Sequence, residues 1–290
     1  GAGDDRIDGG AGLDRASYND ATVGVRVDLQ ESDAQDTGWG NDTLVSIEHV
    51  TGSNHNDTLI GDDGDNWLWG TRGDDSLNGG DGDDLLSVGK GDHTVVGGAG
   101  EDTLQYYSDG VDGPVSVSLA IAGEQETGQG KLTVSEVENL VGTMGGDDTL
   151  TGDGGDNVVA GWGGSDSLAG GAGNDLLLGD GAIYPDEDGA FFLDYNYGEV
   201  AELNFAPTYG DTLLGGDGDD TLVGGLGNDS LSGGDGEDVA VFSGDRADYT
   251  VTVDADGVVT VVDNRGGSPD GTDTLTGVEW LQFADQRIAA

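Results

Sequence analysis

Aspartates at a fixed place in a nine-residue repeat are the residues of this sequence that could do chemistry. Residues 79–87 read GGDGDDLLS, and six such units follow one another from 52 to 105. Further copies lie at 161–178 and 215–241, and two partial copies lie at 1–8 and 9–17. The consensus is GGxGxDxUx, where U is a large apolar residue. A carboxylate beside a turn of exposed carbonyl groups supplies the oxygen ligands that hard cations prefer, and flexible sites with many oxygens suit calcium better than magnesium.

The other positions of the repeat must place these carboxylates. Glycine permits a left-handed backbone and close backbone approach, so GGxGx predicts a tight turn. The three residues xUx are enough for one short strand, in which U faces inward and its neighbours face outward. Stacked repeats would bury a ladder of apolar side chains, namely Leu59, Leu68, Leu77, Leu86, Val95 and Leu104.

The composition indicates that such a chain needs a cation partner. The 290 residues carry a formal net charge of -50 and include 34% hydrophobic residues and no cysteine. A chain so acidic and so poor in apolar residues repels itself when compact, and it has no disulfides to compensate. We expect it to be largely disordered alone in water. Binding to nucleic acid is disfavoured because 9 basic residues cannot offset phosphate repulsion. No segment is predicted to span a membrane.

These repeats resemble the RTX (repeats-in-toxin) family of secreted bacterial proteins, whose repeat is GGxGxDxUx. The resemblance implies an all-β fold, a parallel β-roll with two nonapeptides per coil, and several calcium ions held between turns on the same side. The carboxylates that it assigns to the metal are Asp5, Asp14, Asp57, Asp75, Asp84, Asp102, Asp148, Asp166, Asp175, Asp211, Asp220, Asp229 and Asp238. Turns two repeats apart are expected to share an ion, among other places at Asp57/Asp75, Asp84/Asp102, Asp166/Asp211 and Asp220/Asp238.

Three repeats depart from the pattern at the sixth position. Asn66 and Asn157 keep a ligand oxygen but lose a charge, so we expect weaker metal sites there. His93 replaces the aspartate with imidazole, which is a poor calcium ligand.

A second kind of segment separates and terminates the repeat blocks. Each copy has an aromatic residue, a strand-like run and a tail, and the tails read DTLVSIEHV, KLTVSEVENL and DTLTGVEWL. We interpret these cassettes as small β units that cover the ends of a roll. Glu48, Glu138 and Glu279 share one place in the tails, where a structural role is favoured over a catalytic one. The predicted domains are the end of a roll block at 1–17, a capping unit at 18–51, a roll at 52–105, a capping unit at 106–142, a roll at 143–241 with a loop insertion at 182–208, and a C-terminal cap at 242–290.

The insertion at 182–208 fits neither pattern and is rich in aromatic residues. They are Tyr184, Phe191, Phe192, Tyr195, Tyr197 and Phe205. Aromatic side chains in a long loop could stack on a sugar or contact a partner, and they could equally pack back on the roll as a small satellite core.

Three functions are open at this stage. The first is a calcium-triggered folding module of an extracellular protein. The resemblance also implies that such a protein is exported by a type I secretion machine, which reads an uncleaved signal at the C-terminus of the exported chain. The second is an adhesion module that binds a neutral glycan or a cell surface through the insertion. The third is the non-catalytic C-terminal part of a secreted hydrolase or epimerase. The sequence carries no zinc-binding or nucleophile-elbow motif, so we expect no catalysis from this piece.

Overall fold

The fold consists of short strands joined by glycine turns. The computed structural model describes residues 1–106, 113–180, 210–267 and 269–290 together with the backbone of 182–185 and 191–194. The chain divides into two compact units, the first formed by Gly1–Gly113, Ile121–Asn139 and Pro185–Phe192, and the second by Pro114–Ala120, Leu140–Tyr184 and Leu193–Ala290. The helix present in the described ranges is one 3-10 turn, Arg246–Asp248.

The strands before the insertion are, in chain order, β1 Arg6–Asp8, β2 Arg15–Ser17, β3 Arg26–Asp28, β4 Gln35–Asp36, β5 Asn41–Val45, β6 His49–Thr51, β7 Thr58–Ile60, β8 Trp67–Thr71, β9 Ser76–Asp81, β10 Leu85–Val88, β11 His93–Ala99, β12 Thr103–Tyr106, β13 Ser116–Ser118, β14 Gln125–Glu126, β15 Lys131–Ser135, β16 Asn139–Val141, β17 Thr149–Thr151, β18 Val158–Ala160, β19 Ser167–Ala172 and β20 Leu176–Leu178. The others are β21 Ala182–Pro185, β22 Phe191–Asp194, β23 Thr212–Asp217, β24 Thr221–Val223, β25 Ser230–Asp235, β26 Val239–Val241, β27 Tyr249–Val253, β28 Val259–Asp263, β29 Thr272–Thr276, β30 Trp280–Gln282 and β31 Arg287–Ala289.

The first unit contains two stacks of parallel strands that the chain visits alternately. One stack has the order β2-β6-β8-β10-β12 and the other the order β3-β7-β9-β11-β15, with β14 paired antiparallel at its edge. Within the repeats, neighbouring strands are 18 residues apart, so that Leu59 lies opposite Leu77 and Leu68 lies opposite Leu86. One coil therefore contains two nonapeptides. The apolar position of each repeat faces the space between the stacks, and Leu59, Leu68 and Leu86 are completely buried there.

The second unit repeats this architecture. One stack has the order β16-β18-β20-β24-β26-β30-β31 and the other β13-β17-β19-β23-β25-β29-β28-β27. Asp148 and Asp166, which are joined by a hydrogen bond, are 18 residues apart in the sequence. Asp166 and Asp211, which are joined by the same kind of bond, are 45 residues apart. Strands β19 and β23 nevertheless pair directly, with Leu168 opposite Leu213. Strand β23 thus takes the place next to β19 in its stack, although the two paired leucines are 45 residues apart in the sequence.

The first cassette interrupts one stack while the other continues, and the last cassette ends both stacks with antiparallel strands. In the first cassette, β6 pairs with β2 on one side and with β8 on the other, so it lies inside its stack. On the opposite side, β1 pairs with β5, whereas β3 begins a separate stack by pairing with β7. At the last cassette the antiparallel hairpin of β27 and β28 follows β29 at the edge.

The predicted fold class is confirmed, because the described chain is all-β and forms a parallel β-roll. The predicted domain boundaries stay a prediction. None of the helical segments among the described residues has the length and apolar character needed to cross a bilayer.

Adjacent leucines of β23 provide a direct test of the inward-facing ladder. Leu213 is completely buried, whereas its neighbour Leu214 is 47% exposed. We expect Leu213→Ala to lower the free energy of unfolding by about 2–5 kcal/mol, because it removes buried methyl groups and leaves a cavity. Leu214→Ala should change it by about 0.5 kcal/mol or less. Denaturant unfolding in saturating calcium measures both values, and equal effects would contradict the alternating burial.

Candidate metal centres in the glycine turns

The turn of each repeat delivers its sixth residue into the interior. In the repeat that begins at Gly79, both Gly80 and Gly82 adopt left-handed φ angles, of 119° and 116°. Residues other than glycine rarely adopt this backbone conformation. The turn that these two glycines form directs Asp84 inward. The carboxylate of Asp84 is completely buried as a result.

One oxygen of each interior carboxylate joins two coils. The backbone N–H of Asp84 donates to Asp102 Oδ1 of the following coil at 2.9 Å, and the N–H of Asn66 donates to Asp84 Oδ1 at 2.8 Å. The same bond connects the two members of every predicted pair that was named from the sequence. These bonds link Asp57 to Asp75, Asp84 to Asp102, Asp166 to Asp211, and Asp220 to Asp238.

The second oxygen of most of these carboxylates has no hydrogen donor. The Oδ2 atom is buried without a hydrogen-bond partner, as far as the described residues extend, in Asp14, Asp75, Asp84, Asp102, Asp166, Asp175, Asp211, Asp220, Asp229 and Asp238. Buried polar atoms are normally paired, and an unpaired buried charge is costly. A ladder of such oxygens therefore requires a positive partner.

The space in front of several of these Oδ2 atoms is shared with backbone carbonyl oxygens. A Cβ atom added to Gly79 would overlap both Asp84 Oδ2 and the carbonyl oxygen of Gly97 in the next coil. The same arrangement recurs at Gly215, with Asp220 Oδ2 and the oxygen of Gly233. A carboxylate and a carbonyl that converge on one point form the ligand type of calcium, so the residues fit this ion. Among the described residues, no three or more His, Cys, Asp or Glu side chains gather into a metal site.

The first coil of each block is different, because hydrogen bonds already satisfy its sixth-position oxygens. Asp57 Oδ2 accepts the N–H of Ser53 at 2.6 Å, and Asp148 Oδ2 accepts the N–H of Thr143 at 2.6 Å. Asn66 and Asn157 accept the N–H groups of Asp62 and Asp153 through Oδ1 in the same manner. The predicted ligand roles of these four residues stay predictions, and the geometry favours hydrogen bonding over a cation at them.

Two other predicted positions also differ from the interior pattern. His93 Nδ1 accepts the N–H of Asp75 at 3.2 Å, in the place of an aspartate oxygen, while its Nε2 lies 3.2 Å from the carbonyl oxygen of Gly89. Burial lowers the pKa of His93, which favours the neutral ring. Asp5 lies near the surface, where its N–H donates to Asp42 Oδ1.

The fifth position of the repeat carries a second ladder that the sequence reasoning missed. The N–H of Asp83 donates to Asp65 Oδ1 of the preceding coil, and the N–H of Glu101 donates to Asp83 Oδ1, both at 2.9 Å. These bonds run in the opposite direction to those of the sixth position. The side chains of the fifth-position residues are exposed. The frequent Asp or Asn at position five, as in GGDGDD and GGAGND, was the available signal.

The cassette tails contain two more buried carboxylates that were missed. Asp42 and Asp273 accept the N–H groups of Asp5 and Asp229, in register with the sixth-position aspartates. Tyr18 and Thr37 donate hydroxyl groups to Asp42 Oδ2, so this oxygen is satisfied within the protein. The signal was the D-T-L sequence of the tails, which matches positions six to eight of the repeat.

Burial makes these carboxyl groups hard to ionise in the metal-free protein. It raises the pKa of Asp84 and of Asp166 to about 8, with smaller contributions from neighbouring aspartates, and the pKa of Asp211 to about 9. The pKa of Asp75 rises to about 7 for the same reasons. A bound cation would reverse this tendency, because a positive charge favours the ionised form.

A comparison with protein-family models agrees with the repeat pattern. A family model described as the RTX calcium-binding nonapeptide repeat matches residues 1–16, 51–86, 69–104, 143–177 and 208–240. Among solved structures, extracellular lipase LipA from Serratia marcescens matches with 18% identity and a TM-score of 0.27, over 77% of this chain and 38% of the lipase. The chain thus spans well under half of that lipase. The comparison with curated proteins found no match.

The raised pKa values predict that acid replaces part of the effect of calcium. In the folded, metal-free state the buried carboxyl groups bind protons more tightly than in the unfolded chain, so folding stability falls as pH rises. We expect the strand signal in circular dichroism, measured in chelator, to increase when the pH is lowered from about 8 to about 5. A signal that grows in the opposite direction would show that these groups do not control folding.

Two glycine substitutions test the space in front of Asp84. Gly79→Ala would place a methyl group where Asp84 Oδ2 and the Gly97 carbonyl converge, whereas Gly154→Ala adds a methyl group in open space. Neither glycine has a left-handed φ angle. We expect Gly79→Ala to raise the calcium concentration at half-folding and Gly154→Ala to leave it nearly unchanged, as followed by circular dichroism. Equal midpoints would exclude a cation from this space.

Proposed function

This chain belongs to the RTX calcium-binding nonapeptide repeat family, and from that premise we propose that it is a calcium-triggered folding module of a larger secreted protein. The repeat is a calcium-binding, structural unit and not a catalytic one. The observation that carries the proposal is the ladder of buried Oδ2 atoms that have no hydrogen donor within the described part of the chain.

The charge of the chain explains why folding would depend on the ion. With a formal net charge of -50, the compact state is opposed by self-repulsion, and many of the carboxylates lie in the interior rather than in solvent. Asp84 belongs to a different turn from Gly97 and Asp102, and the two turns come together only in the coiled chain. The free energy of ion binding is consequently free energy of folding.

Calcium concentration would then control where the chain folds. Extracellular calcium modules typically bind with dissociation constants of roughly 10⁻⁴ to 10⁻³ M, so cytosolic calcium would leave the sites empty. An unfolded, self-repelling chain suits passage through a narrow type I export channel, and folding would follow outside the cell. Family members are typically secreted, which supports an extracellular location.

The two other hypotheses concern parts that lie beyond the described contacts. The proposed neutral-glycan or surface site depends on the side chains of 182–208, which lie outside the described residues, so it stays a hypothesis. The activity of a longer protein, such as a hydrolase or epimerase, likewise stays a proposal.

A calcium titration with matched variants tests the proposal. We expect the wild-type chain to gain strand signal in circular dichroism when calcium replaces chelator. Asp84→Asn should raise the calcium midpoint at least about tenfold, because it neutralises a buried candidate ligand. Asp63→Asn removes the same charge from an exposed side chain and should have little effect. Strand signal that is already complete in chelator would refute the proposal.

A further inference from the structure

Each cassette tail holds a glutamate in a fixed relation to a residue with a left-handed backbone. Ser46, Glu136 and Gly277 have φ angles of 50°, 54° and 59°. Two residues after each of them stand Glu48, Glu138 and Glu279. Left-handed conformations are uncommon outside glycine, so their recurrence at one place in three cassettes indicates a common geometric demand.

The glutamates take the place of the aspartate that a further coil would supply. Glu138 Oε2 accepts the N–H of Asp102 at 2.9 Å, as Asp102 Oδ1 accepts the N–H of Asp84 at 2.9 Å. The other two glutamates do the same at 2.9 Å, Glu48 for Asp14 and Glu279 for Asp238. The final aspartate of each block therefore meets a carboxylate, as the interior aspartates do.

A carbonyl oxygen of the cassette completes the resemblance to an interior site. A Cβ atom on Gly97 would overlap Asp102 Oδ2 and the carbonyl oxygen of Glu136. At Gly233 it would overlap Asp238 Oδ2 and the carbonyl oxygen of Gly277. In the interior, Asp84 Oδ2 and the Gly97 oxygen converge on Gly79 in the same way. The left-handed residue thus directs its carbonyl group to the position that a repeat glycine would otherwise fill.

The final aspartates retain an oxygen that has no donor. Asp102 and Asp238 are completely buried, and the Oδ2 atom of each has no hydrogen-bond partner among the described residues. If the glutamates served only to accept a backbone N–H, the Oδ2 atoms would remain unpaired. A cation beside them would pair with this oxygen and could take the cassette carbonyl and the glutamate as further ligands.

We propose that Glu138 and Glu279, and by the same geometry Glu48, are calcium ligands that close each ladder of ions with a mixed aspartate–glutamate site. The inference rests on the proposed calcium-dependent folding. This assignment also explains why the tail residue is a glutamate. Glu138 follows Glu136, whose carbonyl oxygen converges on the site, by two residues, whereas Asp102 follows Gly97 by five. The longer side chain compensates for the shorter connection. The cassettes are accordingly part of the metal-binding structure as well as covers for the roll.

The test compares Glu138→Gln with Glu126→Gln. Glutamine retains an oxygen that can accept the Asp102 N–H, so a purely structural acceptor would survive, whereas a charged ligand would be lost. Glu126 is exposed on β14, and its substitution changes the net charge equally. Calorimetric titration should show that Glu138→Gln loses one bound ion or binds it at least about tenfold more weakly, with Glu126→Gln like the wild type. Glu279→Gln should lose a second ion independently, and it carries the test if Glu138→Gln does not fold.

The outcomes separate this inference from the broader proposal. If the wild-type chain binds no calcium, the calcium-triggered module itself is refuted. If the wild-type chain binds calcium and Glu138→Gln and Glu279→Gln bind the same number of ions with the same affinity, the glutamates are only backbone acceptors and the terminal sites are refuted. Loss of an ion from the glutamine variants, with the exposed control unchanged, supports the mixed sites.

Discussion

The burial of carboxylate oxygens that have no hydrogen donor among the described residues is the constraint on which this structure depends. Asp84 Oδ2 and the carbonyl oxygen of Gly97 converge in the interior, and the arrangement recurs from coil to coil. Without a cation, the apolar ladder between the stacks would have to offset repeated desolvation of charge. With a bound cation, the same oxygens would hold neighbouring coils together as its ligands. Stability and metal affinity are therefore two aspects of one interaction.

The turns also give each block a direction. Sixth-position N–H groups donate to the following coil, whereas fifth-position N–H groups donate to the preceding one. A block begins where Ser53 or Thr143 satisfies the first aspartate, so the first coil has its own donors. It ends where a cassette glutamate accepts the last N–H. Hydrogen bonds at one end and glutamates at the other therefore frame the interior ladder.

Much of the fold could be predicted because the repeat is local. The glycines specify the turn and one apolar residue specifies the inward face, and the resemblance of the repeat to the RTX family implied the coil of two nonapeptides. The cassettes were harder to interpret, because their glutamates acquire meaning only when Asp102 and Glu138 meet across 36 residues. The fifth-position ladder was missed for a related reason, since an exposed Asp resembles ordinary surface charge until its partner in the next coil is known.

The sequence by itself indicated the calcium-type ligand set and the need for a cation through residue type and spacing, and it indicated the β-roll through its resemblance to the RTX family. Only the tertiary structure decided which oxygens lack donors. Asp57 and Asp84 occupy the same position of the repeat, yet Ser53 donates to Oδ2 of Asp57, whereas Oδ2 of Asp84 has no hydrogen donor among the described residues. The difference arises from what stacks against each turn, and stacking is a relation between distant residues that a nine-residue pattern does not contain.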